Sequence, residues 1–163
     1  KNNAIPLRLV STGDVTPINA SPSFKDNSDG TVTDQVTGLT WMRCVYGLIW
    51  NGQTCVNDHQ SGYDFKTALL GAKKINESSG FANHHDWRVP NIKELASVVD
   101  WESTEYFNKK VFPEVPLYVG FWSSSPDAFT INGAWMIEGG TGQMCTINKS
   151  VYYNVTLFVR SGL

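Results

Sequence analysis

Four groups of side chains in this sequence could do chemistry. The run His84-His85-Asp86 sets two imidazoles beside a carboxylate. A zinc site needs ligands converging from three or four positions, and neighbouring side chains in an extended segment point apart. His59 is the one other histidine. The trio is therefore read as a structural loop ahead of Trp87, with no metal and no cofactor. The run Ser123-Ser124-Ser125 could suggest a nucleophile. A hydrolase elbow needs glycine two residues to either side of the serine, and here the run is bounded by Trp122 and Pro126. Short hydroxyls beside a buried aromatic instead satisfy backbone groups at a strand end.

The cysteines are the third group. Cys44 and Cys55 flank a loop rich in Gly, Asn and Gln. That spacing suits a local disulfide and an oxidising compartment, and two free thiols in a reducing one are the alternative. Cys145 is left over, either buried and inert or exposed and able to pair between chains. No histidine has an evident reason to lie beside it, so no catalytic thiol is assigned. The fourth group is basic. Lys109, Lys110 and Lys149 fall in a loop-rich half, and Arg160 in a closing strand. Together they could converge on an anionic ligand, with a mixed solvated surface as the plainer alternative.

The elements that must position these groups follow from periodicity. Residues 1–25 lack it, carry Pro6, Pro17 and Pro22, and are read as an extended arm laid over one domain at 26–163. Asp26-Asn27-Ser28-Asp29-Gly30 is a turn, because Asx side chains bond local backbone and glycine accepts positive φ. Its acidic oxygens do not follow the spacing of a calcium loop. Residues 31–34 and 39–42 alternate as a hairpin about Val36-Thr37-Gly38. The 3.6-residue period predicts a helix over 63–77, with Phe65, Leu69, Ala72 and Ile75 on its apolar face. Asn91 and Glu94 form a capping-box signature after Pro90, opening a second helix with Ile92, Leu95, Val98 and Val99 inward, ending near Asp100-Trp101. Arg88 and Asp86 flank Trp87 and are read as holding the start of that helix by hydrogen bonds or an ion pair. Short strands follow at 119–123 and 133–138, then a closing strand within 151–160. Hairpin, two helices, long loops and antiparallel strands make an α+β fold.

Composition bounds the function. The chain has 163 residues, six tryptophans and a net charge of −2. That is one domain by length, with about 70% of the unfolded surface available for burial. The charge argues against a nucleic-acid partner. No apolar run approaches the roughly 20 residues needed to span a bilayer. Trp41, Trp87, Trp122 and Trp135 sit in apolar surroundings and are read as core. Trp50 and Trp101 are read as partly exposed, where a rigid aromatic can stack on a sugar or dock a partner.

The blocks DGTVTDQVTGLTWMRC, WNGQTC, DWRVPNIKELASVVD, FWSSSP and FVRSG, in this order, resemble the family named for the C-terminal domain of the Legionella collagen-like adhesin. The resemblance spans roughly residues 8–162. It implies a C-type-lectin-like fold and a secreted or surface-exposed bacterial module. It also implies binding of sulfated glycans, adhesion, and a capacity to trimerise. The formylglycine-generating enzymes related to that fold depend on cysteines with bound copper. Here two cysteines are assigned to a loop, so no enzyme activity is expected. Two departures stand out, Cys145 and the tail LFVRSG, both near the implied ligand face. The expectation is a non-enzymatic adhesin-like module that recognises glycans through residues 102–150. Its ligand-binding residues would be Trp101, Lys109, Lys110, Lys149 and Arg160. The alternative is an oligomerisation or protein-interaction domain capping a fibre or pilus-like assembly.

Overall fold

The computed structural model describes residues 23–56 and 62–161. Its elements in chain order are β1 (Phe24–Asp26), β2 (Thr31–Asp34), β3 (Thr40–Met42), β4 (Ile49–Trp50), β5 (Cys55–Val56), α1 (Phe65–Glu77), α2 (Ile92–Ser97), β6 (Gly120–Pro126), β7 (Gly133–Glu138), β8 (Met144–Asn148) and β9 (Val159–Arg160). They form an α+β fold in which three antiparallel sheets, ordered β1-β2-β3-β9, β4-β5 and β6-β7-β8, pack with two helices. Most of the expected arm lies outside the described residues. Its last part, Phe24 and Lys25, forms edge strand β1 against β2.

The first hairpin forms where side chains close its turns locally. Asp29 accepts from the Thr31 N–H and hydroxyl, and buried Asp34 accepts from the Val36 N–H and the Thr37 hydroxyl. Gly30 sits at φ +88°, where a Cβ would come within 3.0 Å of both Trp50 and Phe81. Only glycine meets both conditions.

Helix α1 begins two residues later than expected, because Asp64 caps it by accepting from the Thr67 N–H at 2.7 Å. Its inward face also differs. Ala68, Gly71 and Ala72 are buried, whereas Leu69 is 41% exposed. Aromatic rings reach the helix from outside and leave room only for small residues. A Cβ on Gly71 would lie 2.7 Å from the Tyr46 ring, and Ala68 packs in a cluster with Trp122.

Helix α2 has the predicted capping box. Asn91 accepts from the Lys93 and Glu94 N–H groups, and Glu94 accepts from the Asn91 N–H. The helix stops at Ser97, short of the expected Asp100-Trp101, yet the chain beyond it keeps Val98 and Val99 buried. The central core joins Leu95, Val98 and Val99 to Trp41, Phe107, Phe112, Phe121, Ile137 and Leu157.

Two strand expectations change. β8 was not foreseen, and the closing strand over 151–160 is a strand only at Val159–Arg160. Residues 154–160 are all buried but switch partners every residue or two. Val155 bonds to Gly120 and Trp122 of β6, Thr156 receives the Tyr46 N–H, Phe158 receives the Met42 N–H, and Val159 exchanges bonds with Arg88. The segment is a seam joining the two larger sheets. Its β-rich composition reflects burial rather than a ladder. Trp135 is half-buried rather than core, on the opposite face of β7 from buried Ala134 and Met136.

Candidate ligand-binding surface

The loop carrying Lys109 and Lys110 is held from beneath by Arg43, which follows β3 directly. Its Nε donates to the Val111 carbonyl at 3.1 Å and its Nη2 to the Lys110 carbonyl at 2.6 Å. Its Nη1 pairs with Asp26 at 2.7 Å, and the guanidinium lies 4.4 Å from the centre of the Trp50 ring. A buried cation with this many partners is well compensated. Arg43 thus joins β1, the disulfide loop and the 108–112 loop. Asn108 caps the turn by accepting from the Lys110 N–H, and Phe107 and Phe112 pin both ends in the core.

The proposed ligand residues are distributed around this frame. Lys109 is exposed and pairs with Glu105 at 2.6 Å. The Lys110 side chain is exposed. Trp101 is 51% exposed and lies against Gly142 in the β7–β8 turn. Lys149 donates to the Ile131 carbonyl at 2.8 Å and lies 5.5 Å from the Phe65 ring centre. Arg160 is buried in the four-stranded sheet and donates to Asp86 at 2.8 Å. Lys109 and Lys110 share one loop, while the contacts of Trp101, Lys149 and Arg160 lead to three other places.

The remaining chemical groups have structural partners. The Asn76 carboxamide brackets the backbone of Trp87, His85 Nδ1 meets the Asn76 carbonyl at 2.8 Å, and the Trp87 indole donates to Phe81. Asp86 pairs with Arg160 rather than with the start of α2. Arg88 makes the expected link there, a two-pronged bond to Glu94 with both distances 2.7 Å. Ser123 and Ser124 donate to the Trp135 and Pro90 carbonyls, and Ser125 accepts from the Ile92 N–H at the start of α2. Among the described residues no group of three His, Cys, Asp or Glu side chains is placed to hold a metal; His59 lies outside them. Cys44 and Cys55 form the disulfide. Cys145 is half-buried beside the Ala68–Trp122 cluster, and burial pushes its thiol pKa upward.

The sequence blocks therefore map onto the frame itself: hairpin, disulfide loop, Trp87 segment, capped α2 and seam. A family model described as the Lcl C-terminal domain matches residues 30–160, from the first hairpin to β9. The chain belongs to the Lcl C-terminal domain family. This is a bacterial adhesin-associated domain. No curated protein matches the chain at a significant level. In this Lcl C-terminal domain, residue-by-residue reading missed Arg43. The available signal was an arginine inside an otherwise apolar WMRC block, which needs a partner wherever it is buried.

The Arg88–Glu94 link gives a pH prediction. The Arg88 bonds first, then the Asn91 N–H, hold the Glu94 carboxyl below its ordinary range. A depressed carboxylate contributes stability that is fully present above its unfolded pKa, about 4.3, and is lost as pH falls through the lower folded value. The thermal midpoint should therefore drop as pH falls below about 5. Glu94→Gln should start lower and lose less over the same interval. An equal acid-induced drop in the variant would remove Glu94 from the account.

Proposed function

We propose that this domain is a non-catalytic, adhesin-type binding module. It acts outside a bacterial cell, in a C-type-lectin-like arrangement, and recognises glycans, sulfated ones among them, through residues 102–150. The carrying observation is the display of Lys109 and Lys110 on a loop whose backbone is tied to buried Arg43, within a family associated with adhesion. Sulfate groups need cationic or amide donors, and fixed donors bind them best. Half-exposed Trp101 adds an aromatic face in the same stretch of chain. The buried disulfide supports an oxidising, extracellular setting. Exposed Tyr118 and Tyr153 favour a second reading, a protein-interaction or trimerising domain without a small ligand.

The test is binding to sulfated oligosaccharides. Lys109→Ala with Lys110→Ala should weaken binding about tenfold or more and flatten its salt dependence, since charge-assisted bonds contribute roughly 1.5–3 kcal/mol each. Folding should be unchanged, because exposed lysines usually matter within about ±0.5 kcal/mol. Lys73→Ala with Lys74→Ala, on α1, is the control. Equal loss from both pairs would mean diffuse attraction only. A stable trimer by light scattering, with no glycan bound by the unmutated domain, would favour the second reading.

A further inference from the structure

The connection between β6 and β7, residues 127–132, meets β8 across a small open pocket of about 190 Å³. Its lining includes Asp127, Thr130, Asn132, Thr146 and Asn148. That volume is below the roughly 300–1,000 Å³ of pockets for drug-sized ligands, so it suits a single small ring. The backbone of the connection is held in place, with the Asp127 N–H donating to the Gly133 carbonyl and the Gly133 N–H to the Thr130 carbonyl. Asp127 accepts from the Phe129 N–H at 2.9 Å. The Thr130 and Thr146 hydroxyls in the lining can each donate and accept. The Asn148 Oδ1 accepts from the Ser150 N–H and hydroxyl, and among the described residues neither the Asn148 NH₂ group nor the Asn132 carboxamide makes a hydrogen bond. The Lys149 N–H and ammonium donate to the Asn132 and Ile131 carbonyls and fix the connection to the end of β8. The same connection exposes Phe129 fully and Ile131 to 88%. An open pocket lined by exposed amide and hydroxyl groups, on the connection that also carries an exposed phenyl ring, matches a ligand with one apolar face and a hydroxyl-bearing edge.

We propose that this pocket binds a neutral sugar ring of a glycan, with Asn132, Asn148 and Asp127 bonding its hydroxyls and Phe129 covering its apolar face. Adjacent hydroxyls both donate and accept, which suits amide donors interleaved with carboxylate and hydroxyl acceptors. Asp127 is the one charged lining residue, so a sulfate or carboxylate on the ring is repelled. The inference rests on the glycan-binding reading and deepens it: the lysine loop would take charge, and this pocket would take an uncharged residue.

The experiment is amide chemical-shift mapping on the intact chain. The probes are the methyl glycosides of neutral hexoses and N-acetylhexosamines and, separately, a sulfated oligosaccharide. Neutral glycosides should shift the amides of 129–133 and 146–148. Asn132→Ala and Phe129→Ala should each weaken that binding about tenfold, the equivalent of one well-placed contact. Both residues are exposed, so the thermal midpoint should hold. The mapping on the unmutated chain does not depend on the variants folding. Neutral glycosides that leave these amides unmoved, or variants that bind as well as the parent, would overturn the inference. If the sulfated probe still binds at the lysine loop in that case, the glycan reading survives; if no probe binds, both fall.

Discussion

Leu95→Ala should destabilise the domain by roughly 2–5 kcal/mol, the range for a leucine truncated in a core that cannot collapse around it. Leu95 is completely buried and is the one residue within α2 that is. Its neighbours in the central cluster include Trp41, Phe107, Phe121 and Ile137, contributed by several different elements. A helix of six residues has no stability of its own, so it stays only because it is anchored. Asn91→Ala gives the internal comparison. It removes the acceptor of two first-turn N–H groups but leaves the core intact, and should cost about 1 kcal/mol. Urea midpoints at constant slope read both. A Leu95 loss smaller than the Asn91 loss would mean that capping, not burial, holds this helix.

Reducing the disulfide should cost about 3 kcal/mol on the chain-entropy model, given a loop closed between residues 11 apart. Both cysteines are buried. The loop they close carries β4 and Trp50, and Trp50 lies under the Arg43 guanidinium and against Gly30. Reduction therefore loosens the frame as well as the loop. Denaturation with and without a phosphine reductant measures the loss. Without reductant, alkylation followed by mass spectrometry should label Cys145 at most. Free alkylation of Cys44 and Cys55 in the native protein would overturn the pairing and the compartment drawn from it.

Features closed by nearby residues were legible in the sequence. The Asn91–Glu94 box spans three positions, the Asp34 turn spans three, and the disulfide spans 11. Chemistry at that range is written in spacing. The buried face of α1 was not legible, because it depends on where Tyr46 and Trp122 arrive from outside the helix. Arg43 was missed for the same reason: its carbonyl partners are 67 and 68 residues away. The closing segment misled because burial on all sides and strand pairing select the same residue types. The candidate surface was the least legible part. Arg160 looked like a free cation in a β run until its bond to Asp86 was visible. The pocket at the β6–β7 connection draws its polar groups from two segments, and one of them, β8, had no clear strand signal.

The Arg43 anchorage bears on kinetics. Because the backbone at Lys110 and Val111 is already bonded to a buried guanidinium, the loop's conformational freedom is lost when the chain folds, not when a ligand arrives. A partner that meets this surface has no slow ordering step to wait for. Encounter should run at the rate set by diffusion and charge, and differences between ligands should appear in how quickly they leave. If this surface binds as proposed, each contact would form without delay, one copy at a time. Firm attachment would then come from many copies acting together, each replaceable without loss of the whole.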